Sequence, residues 1–218
     1  MIAARIGTHA AWGMITLLSV GVGGYALFHA FTGFRYLPLE NPMLAPYGLQ
    51  LHIVASAFAM ILGAFQFLKV LRQKAPSVHR WMGRFYIGAC LVGGAAGGAI
   101  ALSSTAGIIA GWGFFLLAIF WLFTTMMAWV SVLRRDFPAH ERWMIRSFAL
   151  TLAAVTLRLY LPAGMVLGSY GVIPNDFNTA YTVIAWICWV PNLIVAEIWI
   201  AMRKRPRRPK VAPAGAPA

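Results

Sequence analysis

Six apolar runs divide the chain, and the polar residues between them gather into short, unequal clusters. The runs cover residues 11–31, 48–68, 85–103, 111–133, 145–167 and 180–202. A helix rises about 1.5 Å per residue, so about 20 apolar residues cross the ~30 Å hydrocarbon layer. The pattern predicts an all-α, polytopic membrane protein with six transmembrane helices and no room for a soluble domain. It assigns residues 1–202 to a single transmembrane domain and 203–218 to a disordered basic tail.

The polar clusters contain a repeat. The stretch "VLRQKAPSVHRWMGRFY" from Val70 to Tyr86 returns 62 positions later as "VLRRDFPAHERWMIRSF", from Val132 to Phe148. Eight of the seventeen positions are identical, where unrelated segments share roughly one, which points to an internal repeat. Each copy falls between two apolar runs, as the turn of a helical hairpin. Pro76 and Pro138 suit the first turn of the following helix, where a missing N–H costs little. Trp81 and Trp143 stand at headgroup level. Arg80/Arg84 and Arg142/Arg146 are i,i+4 pairs, each presenting two guanidinium groups on one helix face. Helices two–three and four–five thus read as a pseudo-repeat of two hairpins. The plainer alternative is that any hairpin turn at a membrane surface needs Arg, Pro and Trp.

Composition agrees with the pattern. The 218 residues are 61% hydrophobic and 11% charged, too little polar surface for a soluble domain. A net charge of +13 would suggest nucleic acid in a soluble protein, but its distribution excludes that partner. If the six spans alternate, 16 of the 18 Lys and Arg residues fall on one side of the membrane. The opposite loops carry Arg35, Glu40 and Asp176. The positive-inside rule then puts both termini in the cytoplasm. The first span has too long an apolar core for a signal peptide and reads as a retained helix. Cys90 and Cys188 lie inside spans and imply neither a disulfide framework nor a metal site. The Pro/Ala-rich tail is expected to be drawn to anionic lipid headgroups.

The segment "LHIVASAFAMILGAFQFLKVLRQKAPSVHRWMGRFY", with "AHERWMIRSFALTLAAVTLRLYLP" after it, resembles a domain-of-unknown-function family of predicted bacterial membrane proteins. The likeness covers residues 48–162 and rests on HRWxGRxY (His79 to Tyr86) and HxRWMxRSxAL (His140 to Leu150). It implies a multi-helix protein of the bacterial inner membrane and leaves the activity open.

The histidines cluster at two depths. His29 closes span one and His52 opens span two on the outer side, while His9, His79 and His140 lie toward the cytoplasmic side. Two imidazoles on different helices can clamp a haem iron axially. An inner pair, His79 and His140, and an outer pair, His29 and His52, would hold two b-type haems across the bilayer. The arginines would balance the propionates. In outline the chain resembles two-haem, four-helix membrane cytochromes. It departs from them in span four, which has no histidine and carries Phe114 where the repeat aligns His52. The plainer reading makes His9 and His29 interfacial side chains and gives His79 and His140 a structural bond to a turn carbonyl. There is no HExxH, no CxxCH and no carboxylate cluster, so zinc hydrolase chemistry and covalent haem attachment are unsupported.

Arg158 stands twelve residues beyond Arg146, ~18 Å along the helix, at a depth where arginine costs ~2.5 kcal/mol or more. It either snorkels outward past Pro162 or meets an anionic group in a cavity. "GGAAGG" from Gly93 to Gly98 holds two overlapping GxxxG spacings and predicts close approach of span three to a neighbour. Three functions follow: a haem-b electron-transfer protein, an accessory subunit of a larger membrane complex, or a carrier or receptor for an anionic lipid or metabolite. The last would use Arg80, Arg84, Arg142, Arg146 and Arg158.

Overall fold

The computed structural model describes residues 2–32, 47–103, 107–174 and 176–203, with side chains from Ala10 onward. The basic tail beyond Arg203, loop residues Arg35 and Glu40, and the side chains of Arg5 and His9 lie outside the described residues. The helices are α1 (Ile2–Thr32), α2 (Tyr47–Gln66), α3 (Lys69–Lys74), α4 (Pro76–Ala101), α5 (Ile108–Leu133), α6 (Phe137–Thr151), α7 (Ala153–Ser169), α8 (Phe177–Ile187) and α9 (Val190–Arg203). No strand occurs among the described residues. Among the described residues six segments are long and apolar enough to cross a membrane: α1, α2, α4, α5, and the pairs α6–α7 and α8–α9.

The third and fifth spans begin at the prolines of the two phrases, as the sequence predicts, and ahead of their apolar runs. α4 starts at Pro76 and α6 at Phe137, because their first turns carry His, Arg and Trp. These residues are polar enough to end an apolar count, yet they form helix readily. Each helix places its proline in the first two positions. The long fifth and sixth spans are interrupted. The Thr151 hydroxyl bonds back to the Ser147 carbonyl at 2.9 Å, just before the break at Leu152. In the sixth span Pro191 cannot donate to the preceding turn. There the Cys188 carbonyl accepts from the Thr156 hydroxyl and from Asn192 Nδ2, the latter at 3.0 Å.

Four spans form the core. α2 packs on α4, α4 on α5, α5 on α6, and α6 back on α2. The first and last spans are flanks: α1 lies along α2 and touches α7, while α8 packs on α5 and α7 and α9 on α6. The two GxxxG spacings of α4 serve different neighbours. A Cβ at Gly93 would stand 2.9 Å from Ser56 Oγ on α2, and one at Gly97 2.6 Å from the His52 ring. Gly94 and Gly98 meet Leu122 and Ala118 on α5 instead. One helix is thereby held on two sides at backbone distance.

The two repeat copies meet in the core. A Cβ at Gly63 would lie 2.6 Å from the Phe148 ring and 2.8 Å from that of Tyr86, the residues that end each copy. Both aromatics are buried. At the helix starts, Asp136 accepts from the Ala139 amide at 2.9 Å, capping α6. Asp176 caps α8, and the Thr179 hydroxyl and amide that donate to it hold its carboxyl below the usual carboxylate range.

Candidate functional site

At the basic end, His79 on α4 and His140 on α6 lie within electrostatic range of one another, with Arg72 and Arg80 close to His79. Their helices stand across the core and touch directly where Tyr86 meets Ser147. His140 Nδ1 is 2.8 Å from the Ala128 carbonyl of α5. A carbonyl only accepts, so Nδ1 carries the proton and Nε2 keeps its lone pair. The plainer reading expected a carbonyl of the turn; the acceptor lies instead within α5. Such a bond also orients a ligating imidazole. His79 Nδ1 and the nearby Gln66 Nε2 are buried without partners among the described residues. Gln66 reaches from α2 toward Gly83, one turn along α4 from His79.

The opposite half is arranged differently. His52 Nδ1 donates to the Gly93 carbonyl at 2.7 Å, and its ring occupies the space left by Gly97. His29 is exposed and packs on its own helix, against Tyr25 at 4.4 Å and Phe28 at 5.8 Å between ring centroids. The two histidines expected to form an outer pair thus turn to different partners. Arg158 lies within electrostatic range of His52, Tyr25 and Tyr181. Its Nη1 donates to the Ala154 carbonyl at 3.0 Å, one turn toward the basic end. The side chain therefore does not turn outward past Pro162, because long helical side chains lean toward the N-terminus of their helix. No carboxylate pairs with Arg158 among the described residues.

The arginines of the two phrases share one local geometry. Arg84 Cζ sits 4.7 Å from the Trp81 ring centroid, and Arg146 Cζ 4.5 Å from that of Trp143. Arg146 then forms a two-pronged ion pair with Glu197 of α9, Nη2 to Oε2 at 2.8 Å. Arg203 of α9 reaches back to Glu141 at 2.7 Å. Arg142 is half-buried and lines a cavity of about 150 Å³ with Glu141, Ile145 and Arg203. Arg80 and Arg84 are exposed; Arg80 bonds to Ser77 at 3.1 Å, and neither meets a carboxylate among the described residues.

One constellation escaped sequence reasoning. The Tyr86 hydroxyl lies 2.7 Å from Ser147 Oγ and 3.2 Å from Thr151 Oγ1, and Thr125 Oγ1 lies 2.7 Å from Ser147 Oγ. Trp121 Nε1 donates to Thr151 at 2.9 Å, and the Cys90 thiol is buried beside them. All six are buried in the middle of the four-helix core. Together they satisfy polar groups that hydrocarbon cannot. The signal was present: Tyr86/Cys90, Trp121/Thr125 and Ser147/Thr151 are i,i+4 pairs on three core helices.

A four-helix core, two flanking spans and polar groups paired inside the bundle define a multi-pass α-helical membrane protein. Residues 49–200 match the family described as "Predicted membrane protein (DUF2306)", and the chain belongs to that family. No curated protein matches the chain, and no solved structure does. The family match runs through the sixth span, beyond the residues that carried the motif resemblance.

Proposed function

We propose that the chain is a transmembrane electron-transfer protein that holds one b-type haem between His79 and His140. The observation that supports this is that these two imidazoles lie within electrostatic range of one another, on helices joined across the core by the Tyr86–Ser147 hydrogen bond. The donor set fits the group: His140 has its Nδ1 tied to a carbonyl and its Nε2 available, and the half-buried His79 has no partner on its buried Nδ1 among the described residues. Haem bound there would supply a one-electron couple set by two imidazole ligands. Arg142, two residues beyond His140 and half-buried, carries charge to balance a propionate. The outer pair is left out of the proposal, because His29 and His52 face different neighbours. In this reading the basic end faces the cytoplasm of a bacterial cell, as the positive-inside rule requires, and the protein resides in the inner membrane.

Absorption spectra of the detergent-purified protein, oxidised and dithionite-reduced, test the reading. Split visible bands on reduction are expected, lost in His79→Ala and in His140→Ala and kept in His29→Ala. A preparation that stays colourless after haem is supplied rejects the haem and leaves the accessory-subunit reading in its place.

A further inference from the structure

The two phrases differ in what covers them. Behind the second copy stands α9, whose Glu197 neutralises Arg146 and whose Arg203 neutralises Glu141. Nothing equivalent stands over the first copy among the described residues. Residues 69–84 hold Lys69, Arg72, Lys74, Arg80 and Arg84 with no Asp or Glu. All five cations are exposed, and none is paired with a carboxylate among the described residues.

Beside them along α4 runs an exposed apolar stripe. Val78, Trp81 and Phe85 are 49%, 58% and 64% exposed, at the i, i+3 and i+7 positions of one face. The stripe starts at the cations and continues into the hydrocarbon zone, and Arg84 is steadied over the Trp81 ring. Cations at the rim, an indole at the interface and apolar surface beneath match a phosphate headgroup above its acyl chains.

We propose that the first copy is a binding site for an anionic phospholipid of the leaflet at the basic end. Arg80 and Arg84 meet the phosphodiester, and Val78, Trp81 and Phe85 lie along the chains. The lipid takes the place over Arg84 that Glu197 takes over Arg146. The second copy has no such site, since its guanidinium is already paired within the chain. The proposal does not depend on whether His79 and His140 hold an iron.

Native mass spectrometry of delipidated protein titrated with phosphatidylglycerol or phosphatidylcholine tests this. Arg80→Gln/Arg84→Gln is compared with Arg134→Gln/Arg135→Gln, which removes two exposed charges from the other turn. Retention of phosphatidylglycerol is expected to fall roughly 30-fold in the first double variant, the loss for two surface cations at ~1 kcal/mol each. It should change less than about twofold in the second, since those arginines carry no share of the site. Equal loss in both would overturn the site in favour of diffuse charge attraction. Equal retention of both lipids by the unaltered chain would overturn it in favour of an apolar coat. A photoreactive side chain at Val78 that cross-links to a second polypeptide rather than to lipid would replace the lipid with a partner helix.

Discussion

From the proline onward, residues 76–86 and 138–148 are built alike, and their surroundings are opposite. In both a proline opens the helix, an arginine lies over the indole three residues before it, and the last aromatic packs on Gly63. Yet Phe85 is 64% exposed while its repeat equivalent, Ser147, is fully buried in the hydroxyl cluster. Arg84 is exposed, and the side chain of Arg146 is only 17% exposed against Glu197. Ahead of the proline even the backbone differs: α5 runs unbroken to Leu133, while the first copy breaks after α2 and inserts the short α3. A shared phrase fixes local geometry, which depends on neighbours three or four residues away. What the phrase touches depends on the flanking span, and among the described residues α9 pairs with the second copy while no carboxylate reaches the first.

Gly63 lies where the copies meet, so altering it is expected to have the largest effect. Gly63→Ala forces a Cβ against both rings and should cost about 3 kcal/mol, read as a lowered midpoint of thermal unfolding in detergent. Ser147→Ala leaves the Thr125 hydroxyl buried without its partner and should cost about 2 kcal/mol in the same assay. The equivalent Phe85→Ala should stay within about 0.5 kcal/mol, and a comparable loss at both sites would erase the distinction between an interior and a peripheral copy. Glu197→Gln, which removes the charge facing Arg146, should cost about 1.5 kcal/mol. A double-mutant cycle with Arg146→Gln should recover most of that as coupling energy, and one with Arg84→Gln should recover none. The smallest effect belongs to the caps. Asp136→Ala should cost about 1 kcal/mol through the lost bond to Ala139, while its counterpart Lys74→Ala should be nearly silent in the same melts.

The six spans and the all-helical class were legible because each span must be apolar over about 20 residues to cross the membrane. The starts of α4 and α6 were legible from Pro76 and Pro138, although their polar first turns lie outside the apolar runs. The GxxxG spacings of α4 predicted close packing, and both face neighbours, though the choice of α2 for one and α5 for the other needed the tertiary arrangement. The repeat register did set His79 and His140 each one turn into its helix, as α4 and α6 have them. The Arg146–Glu197 pair could not be read, because its partners lie 51 residues apart on spans with no shared motif. The hydroxyl cluster was hidden for a related reason. Ser, Thr and Tyr barely lower the hydropathy of a span, so nothing in an apolar profile distinguishes them from packing residues.

The ion pair between Arg146 and Glu197 also sets a schedule for synthesis. A ribosome adding ~5–20 residues per second takes roughly 3–10 s to pass from one to the other. For that interval the fifth span must reside in or beside the insertion machinery with its guanidinium unmatched. The first hairpin has no such wait: Gly93 and Gly97 can meet Ser56 and His52 as soon as α4 emerges. Both hairpins can therefore close as soon as their second helix emerges, but Arg146 in the later one stays unmatched until the last helix arrives.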